Sequence, residues 1–174
     1  GVGFVYKKAG KKITPLLTGG GQEKDFRSTT ENVAGIASMA KALRLVTDKE
    51  GFSLPKIAKM KKIIFDELAK YEDITIFSGE GEDFAPNILT FGIKGVRGEV
   101  VVHAFEEHQI YISTTSACSS KAGKPAGTLI SMGVPTKLAQ TAVRISLDDD
   151  NDMGQVEQFL TIFKQVYAKT QKVR

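Results

Sequence analysis

Between Ile74 and Leu147 the chain breaks into short runs rich in β-branched and aromatic residues, ITIF, NILTFGI, IYISTTSA and VRISL, separated by stretches with apolar residues at helical spacing. A period of two interleaved with a period of 3.6 points to a sheet layered with helices, so the expected fold class is α/β, with the C-terminal part an α+β domain. The helical stripes are specific. Ile57, Met60, Ile64 and Leu68 make one; Val101, Ala104, Phe105 and His108 make a second within GEVVVHAFEEH; Val156, Phe159, Leu160, Phe163 and Tyr167 make a third. The last helix is expected to begin at Asp152, with Gln155 completing a cap-like pair. Short helices are expected over TLISMG and after Pro135.

At the N-terminal end Val2, Phe4 and Tyr6 alternate with Gly3 and Val5, and the basic turn KKAGKK leads into ITPLL, which predicts a hairpin. Gly19, Gly20 and Gly21 stiffen neither a strand nor a helix and mark a loop. Beyond it Val33, Ile36, Ala37, Ala40, Leu43 and Val46 predict an alanine-rich helix. Ser28 and Glu31 have the spacing of a capping box, and a start two or three residues later fits equally well. Because GVGFVY begins inside an alternating apolar run, with neither Met nor a signal-peptide pattern, further sequence is expected upstream of Gly1.

The balance of 24 basic and 20 acidic residues leaves a formal charge of +4, and the lysines, among them Lys7, Lys8, Lys11, Lys12, Lys59, Lys61 and Lys62, are scattered rather than interleaved with aromatics. A solvated surface is expected, not a nucleic-acid interface. With one cysteine there is no intrachain disulfide framework, and no apolar run reaches the roughly 20 residues of a membrane span. A reducing, cytoplasmic setting is the expectation. His103 and His108 fall about 140° apart on a helix and do not face one ion. Asp148, Asp149, Asp150 and Asp152 lack the glycine and terminal glutamate of a calcium loop and read as a solvated turn, so no metal is expected.

Two residues stand out for chemistry. Cys118 follows an apolar, β-branched run and opens SACSSKAGKPAG, where Ser116, Ser119 and Ser120 pack poorly in a core and Lys121 and Lys124 favour a thiolate if they approach it. A lone cysteine is also commonly a buried small hydrophobe, so reactive and inert readings both stand on the residues alone. Arg144 sits mid-strand, with Val143, Ile145 and Leu147 sent to one face and Arg144 and Ser146 to the other. It has two readings: a salt bridge to one of Asp148 to Asp150, or bidentate recognition of a substrate carboxylate. GGGQE lacks both the GK[ST] of a P-loop and the GxGxxG of a dinucleotide fold. Thr29 and Thr30, just ahead of a helix, offer hydroxyls to a phosphate, though helix capping explains them as well.

Taken together, GVGFVY, GGGQEKDFRSTTENVAGI, SACSS and VRISL resemble, in order and spacing along nearly the whole chain, the C-terminal half of the cysteine desulfurases of the nitrogen-fixation and iron-sulfur assembly type. The resemblance implies a fold-type I, pyridoxal-phosphate-dependent homodimer that converts L-cysteine to alanine and a cysteine persulfide. Cys118 matches the thiol that attacks the substrate sulfur and presents it to a sulfur-acceptor protein. Arg144 matches the arginine that holds the substrate carboxylate, Asn87 in PNIL a position near the substrate pocket, and Thr30 a contact to the cofactor phosphate across the dimer. Thr29 stands where the family commonly has glycine. The lysine that anchors the cofactor lies, in the family, just before the GVGF strand, so these 174 residues alone are expected to be inactive.

The implied organisation is residues 1–50 as the end of the large cofactor-binding domain with a connecting helix, and residues 51–174 as the small α/β domain carrying the cysteine segment. Two other readings share these residues. A class-V aminotransferase or selenocysteine lyase would use the thiol differently or not at all, and a non-enzymatic domain would serve dimerisation or acceptor docking.

Overall fold

A computed structural model describes residues 1–48, 54–81, 83–114 and 127–171. The chain divides into two compact units, Gly1–Phe52 and Ser53–Arg174. In the first, residues 1–18 run without regular structure apart from a turn in which the Lys11 N–H donates to the Lys8 carbonyl at 3.2 Å, with Gly10 at φ 78°. The hairpin expected from the alternation is not formed. Phe4, Val5, Tyr6 and Leu16 are 79–99% exposed, and a two-stranded ribbon with no apolar surface to rest on is marginal in water.

The glycine run is a loop, as its composition requires, and it leads into a tight turn in which Glu23, Lys24 and Asp25 all take left-handed φ values of 51°, 55° and 64°. Ser28, buried at 9% exposure, closes this loop through its N–H to the Leu17 carbonyl at 3.1 Å. Helix α1 (Val33–Asp48) then starts one or two residues beyond the later of the two expected positions. Asn32 caps it, its Oδ1 accepting the Gly35 N–H at 3.0 Å, three residues on, where a cap acceptor is needed.

The second unit holds α2 (Leu54–Leu68), β1 (Ile74–Ile76), β2 (Ile88–Ile93), α3 (Gly98–Glu106), β3 (Ser113–Thr114), α4 (Gly127–Ser131), α5 (Thr136–Ala139), β4 (Ala142–Ser146) and α6 (Met153–Gln171). The strands form one antiparallel sheet in the order β1-β2-β4-β3. This is the mixed α/β architecture expected from the interleaved periodicities. Leu89, Phe91 and Ile93 of β2 and Val143 and Ile145 of β4 join Ile57, Met60, Ile64 and Leu68 of α2, Val101 and Phe105 of α3, and Val156, Phe159, Phe163 and Val166 of α6 in one core. Phe105 stacks on Phe159 with centroids 5.1 Å apart, and Tyr71 meets Phe163 edge-on at 5.2 Å. Each such buried side chain contributes about 1.5–3 kcal/mol. The cap of α6 is reciprocal as expected, with Gln155 N–H to Asp152 Oδ1 at 2.9 Å and Asp152 N–H to Gln155 Oε1 at 3.3 Å.

One surface lysine of the sequence reading is not on the surface. Lys61, on α2, is 6% exposed and donates to the carbonyls of Gly79 at 3.1 Å and Ala85 at 2.9 Å. The loop between β1 and β2 folds over α2 and supplies both acceptors, which no local pattern in the sequence announces.

Candidate functional site

The sheet has one face on the helices and another that changes character along its length. At one end α4 and α5 cover it, packing Leu129 and Ala139 against Ala142, with Phe77 and Val134 around them. Gly92 is required here, because a Cβ would lie 2.1 Å from Thr141 Oγ1. Two residues further along β4 the cover ends. Ala142 is buried, whereas Arg144 and Ser146, on the same face, are exposed.

The register places Thr90 of β2 on one side of Arg144 and Ser113 of β3 on the other. Directly opposed residues of antiparallel strands share a face, so a guanidinium stands between two hydroxyl-bearing side chains. Among the described residues Arg144 has neither a hydrogen bond nor an ion pair through its side chain. Among the described residues none of the aspartates offered by the salt-bridge reading pairs with Arg144, and Asp148 is engaged in its own turn. Asp148 Oδ1 accepts the Asp149 N–H at 2.7 Å, Asn151 Oδ1 accepts the Asp148 N–H at 2.8 Å, and the Asp149 carbonyl takes Lys56 Nζ at 2.8 Å. A planar cation exposed on a sheet face, with hydroxyls beside it and no internal counter-ion, is suited to a bidentate anion such as a carboxylate.

Asn87 lies just before β2, where its carbonyl accepts the Leu147 N–H at 2.8 Å and extends the β2–β4 ladder by one position. It is half-buried and stands outside the Arg144 row. Thr30 belongs to the other unit, exposed ahead of α1, and its hydroxyl makes no hydrogen bond among the described residues. Thr29, in place of the family glycine, is not left-handed, and its Oγ1 accepts a hydrogen bond from Arg27 Nη1. Cys118 lies outside the described residues; Thr114, which pairs with Val143, precedes that segment and α4 follows it.

The described residues contain no group of three or more His, Asp or Glu placed to hold a metal, and His103 instead pairs through Nδ1 with Glu106 Oε2 at 2.8 Å. Among them no helix is long and apolar enough to cross a membrane. Thr90 and Ser113 are absent from the sequence reading of the site. The available signal for Thr90 was a lone polar residue inside ILTFGI, but only the register shows that it meets Arg144.

The profile of the aminotransferase class-V family matches residues 1–159. A "NifS/IcsS protein homolog" of Lactobacillus delbrueckii subsp. bulgaricus is 45% identical over 173 residues, covering 99% of this chain and 45% of that protein. "Cysteine desulfurase IscS" of Dictyoglomus turgidum is 33% identical over 147 residues, covering 84% of this chain and 37% of that protein. Among solved structures, the NifS-like protein of Rickettsia africae superposes with a TM-score of 0.72 at 32% identity, covering 91% of this chain and 41% of the other. The chain therefore spans less than half the length of these similar proteins.

Proposed function

The chain belongs to the class-V aminotransferase family, and on that premise we propose that it is the C-terminal part of a cysteine desulfurase that takes sulfur from L-cysteine and leaves alanine. The observation that carries this reading is Arg144, a guanidinium without a counter-ion among the described residues, on the open face of the sheet and flanked by Thr90 and Ser113. Similarity to proteins named as cysteine desulfurases, together with the SACSS motif, supports the identity of the reaction.

Arg144 would hold the α-carboxylate of cysteine through paired N–H donors, which fixes the amino acid with its thiol directed to the nucleophile. Cys118, as the thiolate, attacks the substrate sulfur. A sulfur–sulfur bond forms, the substrate's carbon–sulfur bond breaks, and its electron pair stays with the carbon, which takes up a proton and leaves as alanine. The persulfide on Cys118 then passes its outer sulfur to the thiol of an acceptor protein. Pyridoxal phosphate, when bound, supplies the electron sink that makes the carbon–sulfur bond labile. Thr30 fits its phosphate, having an exposed hydroxyl without a partner among the described residues.

By the same resemblance the anchoring lysine is assigned to sequence upstream of Gly1, residues 1–174 alone are inactive, and the full-length enzyme is a cytoplasmic homodimer. The test uses the full-length protein loaded with pyridoxal phosphate. Cys118→Ser should abolish alanine release and persulfide formation while leaving the cofactor absorbance intact, and Arg144→Lys should raise KM for cysteine because an ammonium cannot reproduce the fork. Retained turnover in the serine variant, or alanine formation that depends on a keto acid, would refute the desulfurase reading.

A further inference from the structure

The family resemblance assigns Thr90 no role, yet its surroundings do. It is 8% exposed as a residue, but its hydroxyl oxygen is not enclosed: among the described residues the buried side-chain oxygen without a partner is Gln22 Oε1, so the Thr90 hydroxyl keeps contact with solvent on the open face of the sheet. The hydroxyls of the buried Thr141 and Thr170 donate to the carbonyls of Leu138 and Tyr167, each at 2.7 Å, whereas that of Ser28, like that of Thr90, has no partner among the described residues. The backbone of Thr90 is engaged, its N–H donating to Ser78 Oγ at 2.8 Å and its carbonyl accepting the Phe77 N–H at 2.8 Å. Its hydroxyl has no partner among the described residues. A strand residue has no carbonyl three positions back within reach, so the local solution open to the other two is closed to it.

Directly across the ladder stands Arg144, whose guanidinium is likewise without an acceptor. Opposed Cβ atoms in such a pair are about 4.5–5.5 Å apart. The hydroxyl of Ser113, on the far side, is already used on the Thr114 carbonyl at 3.0 Å. Two donor groups on neighbouring strands therefore face the same space, and what they lack in common is an acceptor. A carboxylate offers about four lone-pair sites, of which a guanidinium fork takes two. We propose that Thr90 donates to the substrate α-carboxylate beside Arg144, making it a specificity-determining binding residue. This rests on the reading of Arg144 given above.

The experiment measures steady-state kinetics of the full-length enzyme loaded with pyridoxal phosphate. Thr90→Val, nearly isosteric but without the hydroxyl, should raise KM for L-cysteine about tenfold, the loss of one hydrogen bond to a charged group, with kcat within about twofold of the parent. Thr90→Ser should restore the affinity. Cysteamine, which keeps the thiol and amine but has no carboxylate, should inhibit the parent and Thr90→Val equally. If Arg144→Lys also leaves KM unchanged, the reading of Arg144 fails and this one with it. If Arg144→Lys raises KM while Thr90→Val, folded by its melting temperature, does not, the role of Thr90 alone is overturned. An equal loss of cysteine and cysteamine would mark a general distortion and overturn it as well. Should Thr90→Val not fold, the same comparison is read between Thr90→Ala and Thr90→Ser.

Discussion

Lys61 is a cation held under the β1–β2 loop by backbone carbonyls. Burial pushes its pKa below the ordinary 10.5, and nearby Glu80 opposes the shift without cancelling it. Its folded pKa is therefore below its unfolded value, so between the two the unfolded chain binds more protons and stability rises with pH. Lys62 and Lys70 shift upward through hydrogen bonds, to Asp66 and Glu80 for Lys62 and to Glu67 for Lys70, so their contribution is present below 10.5 and is lost only above it. The windows are adjacent but separate. Lys61→Met should lower stability by about 1–2 kcal/mol near neutral pH, because the Gly79 and Ala85 carbonyls lose their donor, and should remove the alkaline rise just below 10.5. Chemical denaturation of both proteins from pH 7 to 10 checks this; parallel pH profiles would refute it. In the sequence Lys61 is one of several scattered lysines, and its acceptors lie 18 and 24 residues away. Thr90 was hidden for the same reason, since its neighbour Arg144 comes from a strand 54 positions on that only the register brings alongside. Arg144 itself was legible, because two-residue alternation within one short strand decides its face.

Elements were readable where their cause is local. The stripes of α2 and α6 and the Asp152–Gln155 cap follow from spacing within a few residues and are found where spacing puts them; α3 buries Val101 and Phe105 of its expected stripe but ends at Glu106, which leaves His108 beyond the helix. The N-terminal hairpin failed because a strand is completed by its neighbours, and alternation in GVGFVY says nothing about whether a neighbour is there. Close approach between elements is hidden from sequence in the same way. Gly98 opens α3 with its N–H on the Gln140 carbonyl at 3.0 Å, and a Cβ there would lie 2.7 Å from the Ala142 carbonyl oxygen. That neighbour is backbone at the start of β4 and cannot swing aside. Gly98→Ala should gain a little helix propensity yet lose about 1–3 kcal/mol to overpacking, so the net effect is destabilising. Thermal unfolding measures it, and a variant as stable as the parent would show that α3 can slide away from β4.

At the scale of the whole molecule, burial is unevenly shared. Among the described residues, the buried apolar side chains run from Ile57 to Val166, all in Ser53–Arg174, whereas the first unit leaves Phe4, Val5, Tyr6, Leu16, Val33 and Leu43 exposed and of its described residues buries only Ser28. Hydrophobic burial is the main favourable term in folding, so the second unit contains what it needs to fold and the first does not. Under the proposed function, the remainder of a full-length enzyme covers those apolar side chains. Residues 53–174 expressed alone should therefore unfold in a single cooperative transition, with a midpoint within a few degrees of that of the 174-residue chain. Brief proteolysis of the whole chain should cut first within residues 1–32 and leave a resistant C-terminal product, because unprotected backbone is cleaved ahead of a packed core. Amide exchange sharpens the test: slow exchange should be confined to the strands and to α2, α3 and α6. If residues 53–174 are unfolded alone, or if protection is as strong across residues 1–32, the first unit takes part in a shared core, and the division of labour between a self-sufficient domain bearing Arg144 and a segment awaiting its cover is wrong.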